Sequence, residues 1–229
     1  MSPTRSAIVT GYSSGLGAAF TSGLLARGWD VVGVSRETEP AELHDRYPTQ
    51  LVAVHGSVDT QATADEAFAA AVGDRDLRLV ISCAGKGVFG PPGVYTAEDI
   101  ADVMASLTGL ILFSDIAVRH MSQSGGDIVN VMSTASKKLR TGEAIYVASK
   151  WGGKAYTRTL RDALKAAKTP IRVFEVYPCG MNTAFWDTAT RPVADRAAFP
   201  PPEPIAEQIL EEISTPRPVY CQEFTFERG

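Results

Sequence analysis

Three residues stand out for the chemistry they could do together: Ser133, Tyr146 and Lys150, which fall in the run STASKKLRTGEAIYVASK. Tyr146 and Lys150 are four positions apart, so on a helix they share a face. An ammonium close to a phenol favours the ionised form of that phenol, which makes Tyr146 a candidate proton donor or acceptor near neutral pH. Ser133 stands 13 residues upstream of Tyr146, where the chain leaves an apolar run with the look of a buried strand. Taken alone, the pair reads more readily as a solvated helix face and the serine as a backbone cap. The weight therefore passes to the elements that must position them.

The chain alternates short β-branched runs with longer segments of helical period, the pattern of βαβ units and a parallel sheet. Strands are expected at Ser6–Thr10, Asp30–Ser35, Gln50–Val54, Leu77–Ser82, Asp127–Met132 and Ile171–Val176, with a last one near 217–221. Helices are expected at Gly15–Arg27, 60–73, Thr96–Ser122, Tyr146–Ala167 and 204–213. The fold class is thus α/β: one Rossmann-type doubly wound parallel sheet of about seven strands with helices on both faces, one domain over residues 1–229. Between the first strand and its helix lies TGYSSGLG, with Gly11, Gly15 and Gly17 where a tight turn, a close backbone approach and helix packing are each needed. Free amides and the positive end of the helix dipole at such a start suit a pyrophosphate.

Composition narrows the classes further. At 45% apolar and 21% charged residues the proportions are globular, and a net charge of −4 without a basic block gives no support for nucleic-acid binding. Cys83, Cys179 and Cys221 are odd in number and widely spaced, against a disulfide framework or a metal site, so a reducing, cytoplasmic setting is expected and no metal. No span is expected to approach the ~18 to 20 apolar residues of a membrane helix, and no membrane association is expected.

The TGxxxGxG loop, the Cys83-Ala84-Gly85 turn after the fourth strand, a serine 13 residues before YxxxK, and the Pro-x-Gly-x-x-Thr element Pro178–Thr183 together resemble the short-chain dehydrogenase/reductase family. The resemblance covers almost the whole chain, in order and on the expected elements. It implies that Tyr146 exchanges a proton with the substrate oxygen, that Lys150 lowers its pKa and holds the nicotinamide ribose, and that Ser133 hydrogen-bonds the substrate oxygen. It further implies cofactor contacts at Gly11, Ser13, Ser14, Gly15, Leu16, Gly17, Arg36, Ser57, Val58, Cys83, Ala84, Gly85, Tyr146, Lys150, Pro178, Gly180, Met181 and Thr183. The reaction implied is hydride transfer between NADP(H) and a carbonyl or alcohol. Dehydratase or epimerase chemistry on the same scaffold, or a non-catalytic NADP-binding regulatory role, are the alternatives.

Departures from the family pattern carry consequences. Ser106 stands where many members place an asparagine that relays protons through water, and a hydroxyl lacks an amide's separate donor and acceptor. SCAG replaces the usual Asn-Asn-Ala-Gly, so Ser82 and Cys83 take the place of two amides, and Ser57 stands where an aspartate often contacts adenine. After the second strand the chain reads Ser35-Arg36-Glu37. An arginine there can meet a 2'-phosphate, which favours NADP(H) over NAD(H), with Glu37 as the counter-argument. The region 184–204 is the expected substrate lid, and its Phe185, Trp186 and Phe199 fit either a pocket or sheet packing. Lys86, Lys137, Lys138 and Arg140 near the site would suit an anionic carbonyl substrate if their charges are free. The helix Thr96–Ser122 is apolar on more than one face, from which a homodimer or homotetramer is expected.

Overall fold

Strand β1 (Arg5–Thr10) carries Ala7, Ile8 and Val9 in succession, all fully buried, which only a strand covered on both faces allows. Its side chains alternate between two cores. Ala7 and Val9 pack with Leu16, Phe20 and Leu24 of α1 (Gly15–Ala26) and Ile205, Ile209 and Leu210 of α7 (Glu203–Ser214). Ile8 faces the other way, with Phe68 of α3 (Gln61–Ala71) and with Phe113, Ile116 and Ala117 of α4 (Ala97–Met121). The remaining strands are β2 (Asp30–Ser35), β3 (Leu51–His55), β4 (Asp76–Ser82), β5 (Gly126–Val131), β6 (Ile171–Tyr177) and β7 (Glu223–Thr225). All pair in parallel in the order β3-β2-β1-β4-β5-β6-β7, with Ile8 level with Val32 on one side and Val80 on the other. This computed structural model describes residues 3–37, 40–189, 196–214 and 219–228.

The expected elements form with ends moved by one or two residues. The exception is the last strand, expected near 217–221: residues 217 and 218 lie outside the described residues, and the strand is at Glu223–Thr225. Its three residues pair with Glu175, Val176 and Tyr177, and Phe224 reaches the α1–α7 core. Among the described residues two short α-helices were not expected: α2 (Ala41–Arg46), none of whose residues is buried, and α6 (Phe185–Thr188). Neither is long enough for periodicity to show.

Helix α4 is opened by a capping box: Thr96 Oγ1 accepts from the Asp99 amide at 3.1 Å and Asp99 accepts from the Thr96 amide at 2.9 Å. Its 25 residues reach a mean hydropathy of 1.6 over an 18-residue window, enough by length and composition to cross a bilayer. That corrects the expectation that nothing in the chain approaches a membrane span. The cause of the apolarity is packing, since Val103, Leu110, Phe113, Ile116, Ala117 and Met121 are buried against the sheet and its neighbours. Helix α5 (Ala144–Ala166) lies beside α4, and Asn130 of β5, fully buried, donates to Thr157 of α5 at 3.0 Å while accepting from Ser114 of α4 at 3.3 Å. One amide thus ties both helices to the middle of the sheet.

Candidate active site

The strand order reverses between β1 and β4, and the loops leaving the carboxyl ends of these strands part there into a crevice. The crevice opens into a cavity of about 760 Å³. One end is built by the glycine loop. Gly11 has φ +70°, and a Cβ on it would sit 2.8 Å from Ala84 Cα; one on Gly17 would sit 2.0 Å from the Gly11 carbonyl oxygen. Neither position admits a side chain, so the loop keeps its bare backbone against the β4 turn. Ser14 caps α1 without a side-chain hydrogen bond, which leaves the first amides of the helix facing the cavity. A cradle of this shape and polarity fits a pyrophosphate.

Thr10, which the sequence did not single out, holds this end together. Its Oγ1 accepts from the amides of Cys83 and Ala84 at 3.0 and 3.2 Å, fixing the turn after β4 to the end of β1. Its signal in the sequence was its place as the threonine that opens TGxxxGxG, closing a buried strand just before a glycine.

Further along, Ser13 and Ser35 hydroxyls lie 2.9 Å apart and the Glu37 amide donates to Ser35 Oγ at 3.0 Å. Arg36 is half exposed and pairs with Asp102 of α4 at 3.3 Å; Lys86 pairs with the same carboxylate. The hydrogen bond from Lys86, joined by Arg36, holds the Asp102 carboxyl below the usual carboxylate range. Ser57, Val58, Cys83 and Gly85 line this part of the cavity, as do Pro178, Gly180, Met181 and Thr183 on the opposite side.

At the other end stand Ser133, Tyr146 and Lys150. Ser133 leaves β5 and caps a single 3₁₀ turn, Thr134–Ser136, its Oγ accepting from the Ala135 amide at 3.1 Å. Lys150 is 8% exposed, its Nζ donating to the Val131 carbonyl at 3.2 Å and lying 5.8 Å from the centre of the Tyr146 ring. Burial pushes the Tyr146 phenol up to about 12, against a hydrogen bond with Ser133 that acts in the other direction; Glu143 adds to the rise and Arg140 opposes it. Burial likewise brings Lys150 down to about 8. The phenol of the free chain is therefore neutral, where proximity to Lys150 alone suggested a lowered pKa: loss of solvent outweighs the lowering by the Ser133 hydrogen bond and Arg140. Ser106 donates to Val103 O of its own helix at 2.7 Å and lies 3.3 Å from Ser149 Oγ, so its hydroxyl is bonded within the α4–α5 contact.

Of the four basic residues that would suit an anion if their charges were free, two are engaged elsewhere. Lys86 meets Asp102, and Lys137 meets Glu223 and Thr225 while its Nζ lies 4.4 Å from the centre of the Tyr177 ring. Lys138 and Arg140 remain on the cavity wall. The lid aromatics Phe185, Trp186 and Phe199 both pack together and line the cavity; residues 190–195 of the expected lid lie outside the described residues. Phe89, which the sequence reading passed over, stands edge-on to Tyr146 at 5.4 Å between ring centres. An aromatic in the glycine-rich loop GKGVFG, directly after the Ala-Gly turn, was the available signal.

Known proteins share both sequence and fold with this chain. The family model for short chain dehydrogenase matches residues 5–193. A farnesol dehydrogenase of Aedes aegypti is 28% identical over 235 residues, covering 96% of this chain and 94% of its own. A tropinone reductase homolog of Arabidopsis thaliana is 31% identical over 184 residues, covering 77% and 68%. An alcohol dehydrogenase of the archaeon Thermococcus sibiricus, solved in complex with 5-hydroxy-NADP, superposes with a TM-score of 0.85 over 97% of this chain and 96% of its own at 21% identity, and so shares the fold. The chain belongs to the short-chain dehydrogenase/reductase family of oxidoreductases.

Proposed function

We propose that the protein interconverts a carbonyl compound and its alcohol with NADP(H), using Tyr146 as acid/base, Ser133 to hold the substrate oxygen and Lys150 to hold the nicotinamide ribose. The observation that carries this reading is the neutral, buried Tyr146 phenol with Ser133 in hydrogen-bonding reach, at the far end of a cavity that begins at a pyrophosphate cradle. When bound, the cofactor supplies or takes up the hydride. In the direction of reduction, a neutral phenol is the form that donates a proton, and an alkoxide developing next to it has a donor already in place. Ser133, fixed by its own cap to Ala135, keeps one hydroxyl aimed at the same oxygen. Among the described residues Lys150 meets no carboxylate, so its protonated form gains from ribose hydroxyls that can accept from it. Water is kept from this end by the rings around Tyr146, which strengthens each of these contacts.

NADP(H) is favoured by Arg36, which follows β2 and lines the cavity, with the Ser13 and Ser35 hydroxyls at the same end. Asp102 holds its guanidinium near that position, where a 2'-phosphate would compete for it. A homodimer is favoured by the outer face of α4 and α5, where Ile111 and Trp151 are exposed. Three unpaired cysteines fit a reducing compartment such as the cytoplasm. The bonding of Ser106 within its own helix favours a second reading, a cofactor-binding protein without turnover.

The test is the oxidation of NADPH and of NADH by the purified protein over a broad panel of ketones and aldehydes. Turnover with a higher kcat/KM for NADPH is expected. NADH equal or better refutes the preference, and tight NADPH binding with no turnover on any carbonyl refutes the enzyme in favour of the second reading.

A further inference from the structure

We infer that the substrate is an apolar carbonyl compound with an aryl or alkyl body, and that Phe89, Phe185 and Trp186 select it; this rests on the oxidoreductase reading above. The Tyr146 phenol is walled by rings. Phe89 stands 5.4 Å from the Tyr146 ring centre at 80°, and Phe185 5.9 Å from it. Trp186 continues the wall, 5.2 Å from Phe185 and 6.2 Å from Phe89, and Phe199 follows 5.7 Å beyond Trp186. All five rings line the cavity.

The backbone is shaped around this wall. A Cβ on Gly87 would meet Phe185 Cζ at 2.5 Å and Phe89 Cζ at 2.7 Å, and one on Gly180 would meet Phe199 Cε2 at 2.9 Å. Any larger residue at either place would displace a ring. Trp186 offers the cavity its face and not its donor, because Nε1 already bonds the Met181 carbonyl at 2.9 Å. A polyol or hydroxy acid bound here would bury several oxygens against carbon, at a cost for each that finds no partner. An apolar body has the opposite effect: Phe185 and Trp186 are only partly buried in the free chain and lose their remaining exposure against it. The cations that would have drawn an anion toward this end are reduced by the pairing of Lys86 with Asp102 and of Lys137 with Glu223.

The experiment has a kinetic and a binding arm. In the first, kcat/KM with saturating NADPH is measured for methyl ketones from butanone to nonanone and for dihydroxyacetone. The expected result is a rise of roughly fourfold per added methylene over the first several members, the equilibrium worth of burying one CH₂, with dihydroxyacetone below butanone. Trp186→Ala and, as a milder change, Phe185→Leu flatten the slope while leaving the Kd for NADPH unchanged. In the second arm, tryptophan fluorescence is followed while phenylethanol is added to the NADP+ complex, with Trp186→Phe as the control that removes the signal. A flat or falling chain-length series, dihydroxyacetone preferred over butanone, slopes unchanged in both variants, or no phenylethanol-dependent change at Trp186 each overturn the inference. Quenching of Trp186 by phenylethanol with no oxidation of NADPH by any carbonyl sinks the oxidoreductase reading and leaves the apolar site standing.

Discussion

Replacing Lys150 by methionine should stabilise the cofactor-free protein while removing its activity. The ammonium is buried with one hydrogen bond, to the Val131 carbonyl, and burial takes its pKa from 10.5 to about 8. At 1.36 kcal/mol per unit, carrying that proton in the folded state at pH 7 costs on the order of 3 kcal/mol. Methionine has a similar length and no charge; against the gain stands the lost hydrogen bond, about 1 kcal/mol. The net is a stabilisation of about 2 kcal/mol, or a rise in Tm of ~4–8 °C for a chain of this size. The pH dependence gives the mechanism a second signature. The folded chain releases this proton near pH 8 and the unfolded chain near 10.5, so between those values the unfolded state binds more protons and stability rises with pH. From pH 7 to pH 9 the wild type should therefore gain about 1 kcal/mol relative to Lys150→Met. Tyr146, raised to about 12, titrates outside that range in the folded state. Urea unfolding of both proteins at the two pH values, monitored by circular dichroism, measures the difference. A variant less stable than wild type at pH 7, or a gap that does not narrow with pH, would refute the account of Lys150 as a cation held in place for a ligand at the expense of stability.

Other expectations follow from the same geometry. Gly11→Ala places a Cβ 2.8 Å from Ala84 Cα at a positive φ, and should weaken NADPH binding at least about tenfold by equilibrium titration, as the loop and the β4 turn are forced apart. Thr10→Val keeps the shape and leaves two amides without their acceptor, which should cost about 1–3 kcal/mol in urea unfolding and raise the KM for NADPH more than it lowers kcat. Glu175, fully buried, should cost about 1–3 kcal/mol when changed to alanine, since Arg161 and the Tyr177 hydroxyl lose their acceptor while the half-exposed Arg158 keeps Glu223. Arg36→Ala should raise the Kd for NADPH and leave that for NADH within about twofold, the 2'-phosphate being the only group the two do not share.

The sheet was legible in the sequence because its strands are buried on both faces and read as continuous β-branched runs, as Ile-Val in β1 and Val-Val in β2 do. Helices α1, α4 and α5 were legible from their period, and the start of α4 is fixed by the Thr96–Asp99 capping box. What escaped were features set by tertiary neighbours. β7 is three residues long and owes its place to Glu175–Tyr177 of β6; α6 owes its turn to the rings that pack on it. In the site, residue types and spacing brought Ser133, Tyr146 and Lys150 together, but the sign of the Tyr146 shift depends on burial, which spacing does not report. The pairing of Lys86 with Asp102 and of Lys137 with Glu223 likewise joins residues on different elements, so charges that looked free in the sequence are not. Phe89 belongs to the site only because the loop after β4 folds back over α5.

Turnover as proposed requires the Tyr146 phenol to exchange the proton that accompanies hydride transfer. Tyr146→Phe removes one oxygen from a wall of rings and leaves the glycine cradle untouched. Single-turnover oxidation of bound NADPH by a ketone that the wild type reduces, measured beside the Kd for NADPH, tests it most directly. The account predicts a rate at least about 10²-fold lower with the Kd unchanged; a variant that transfers hydride at a rate near wild type would contradict it.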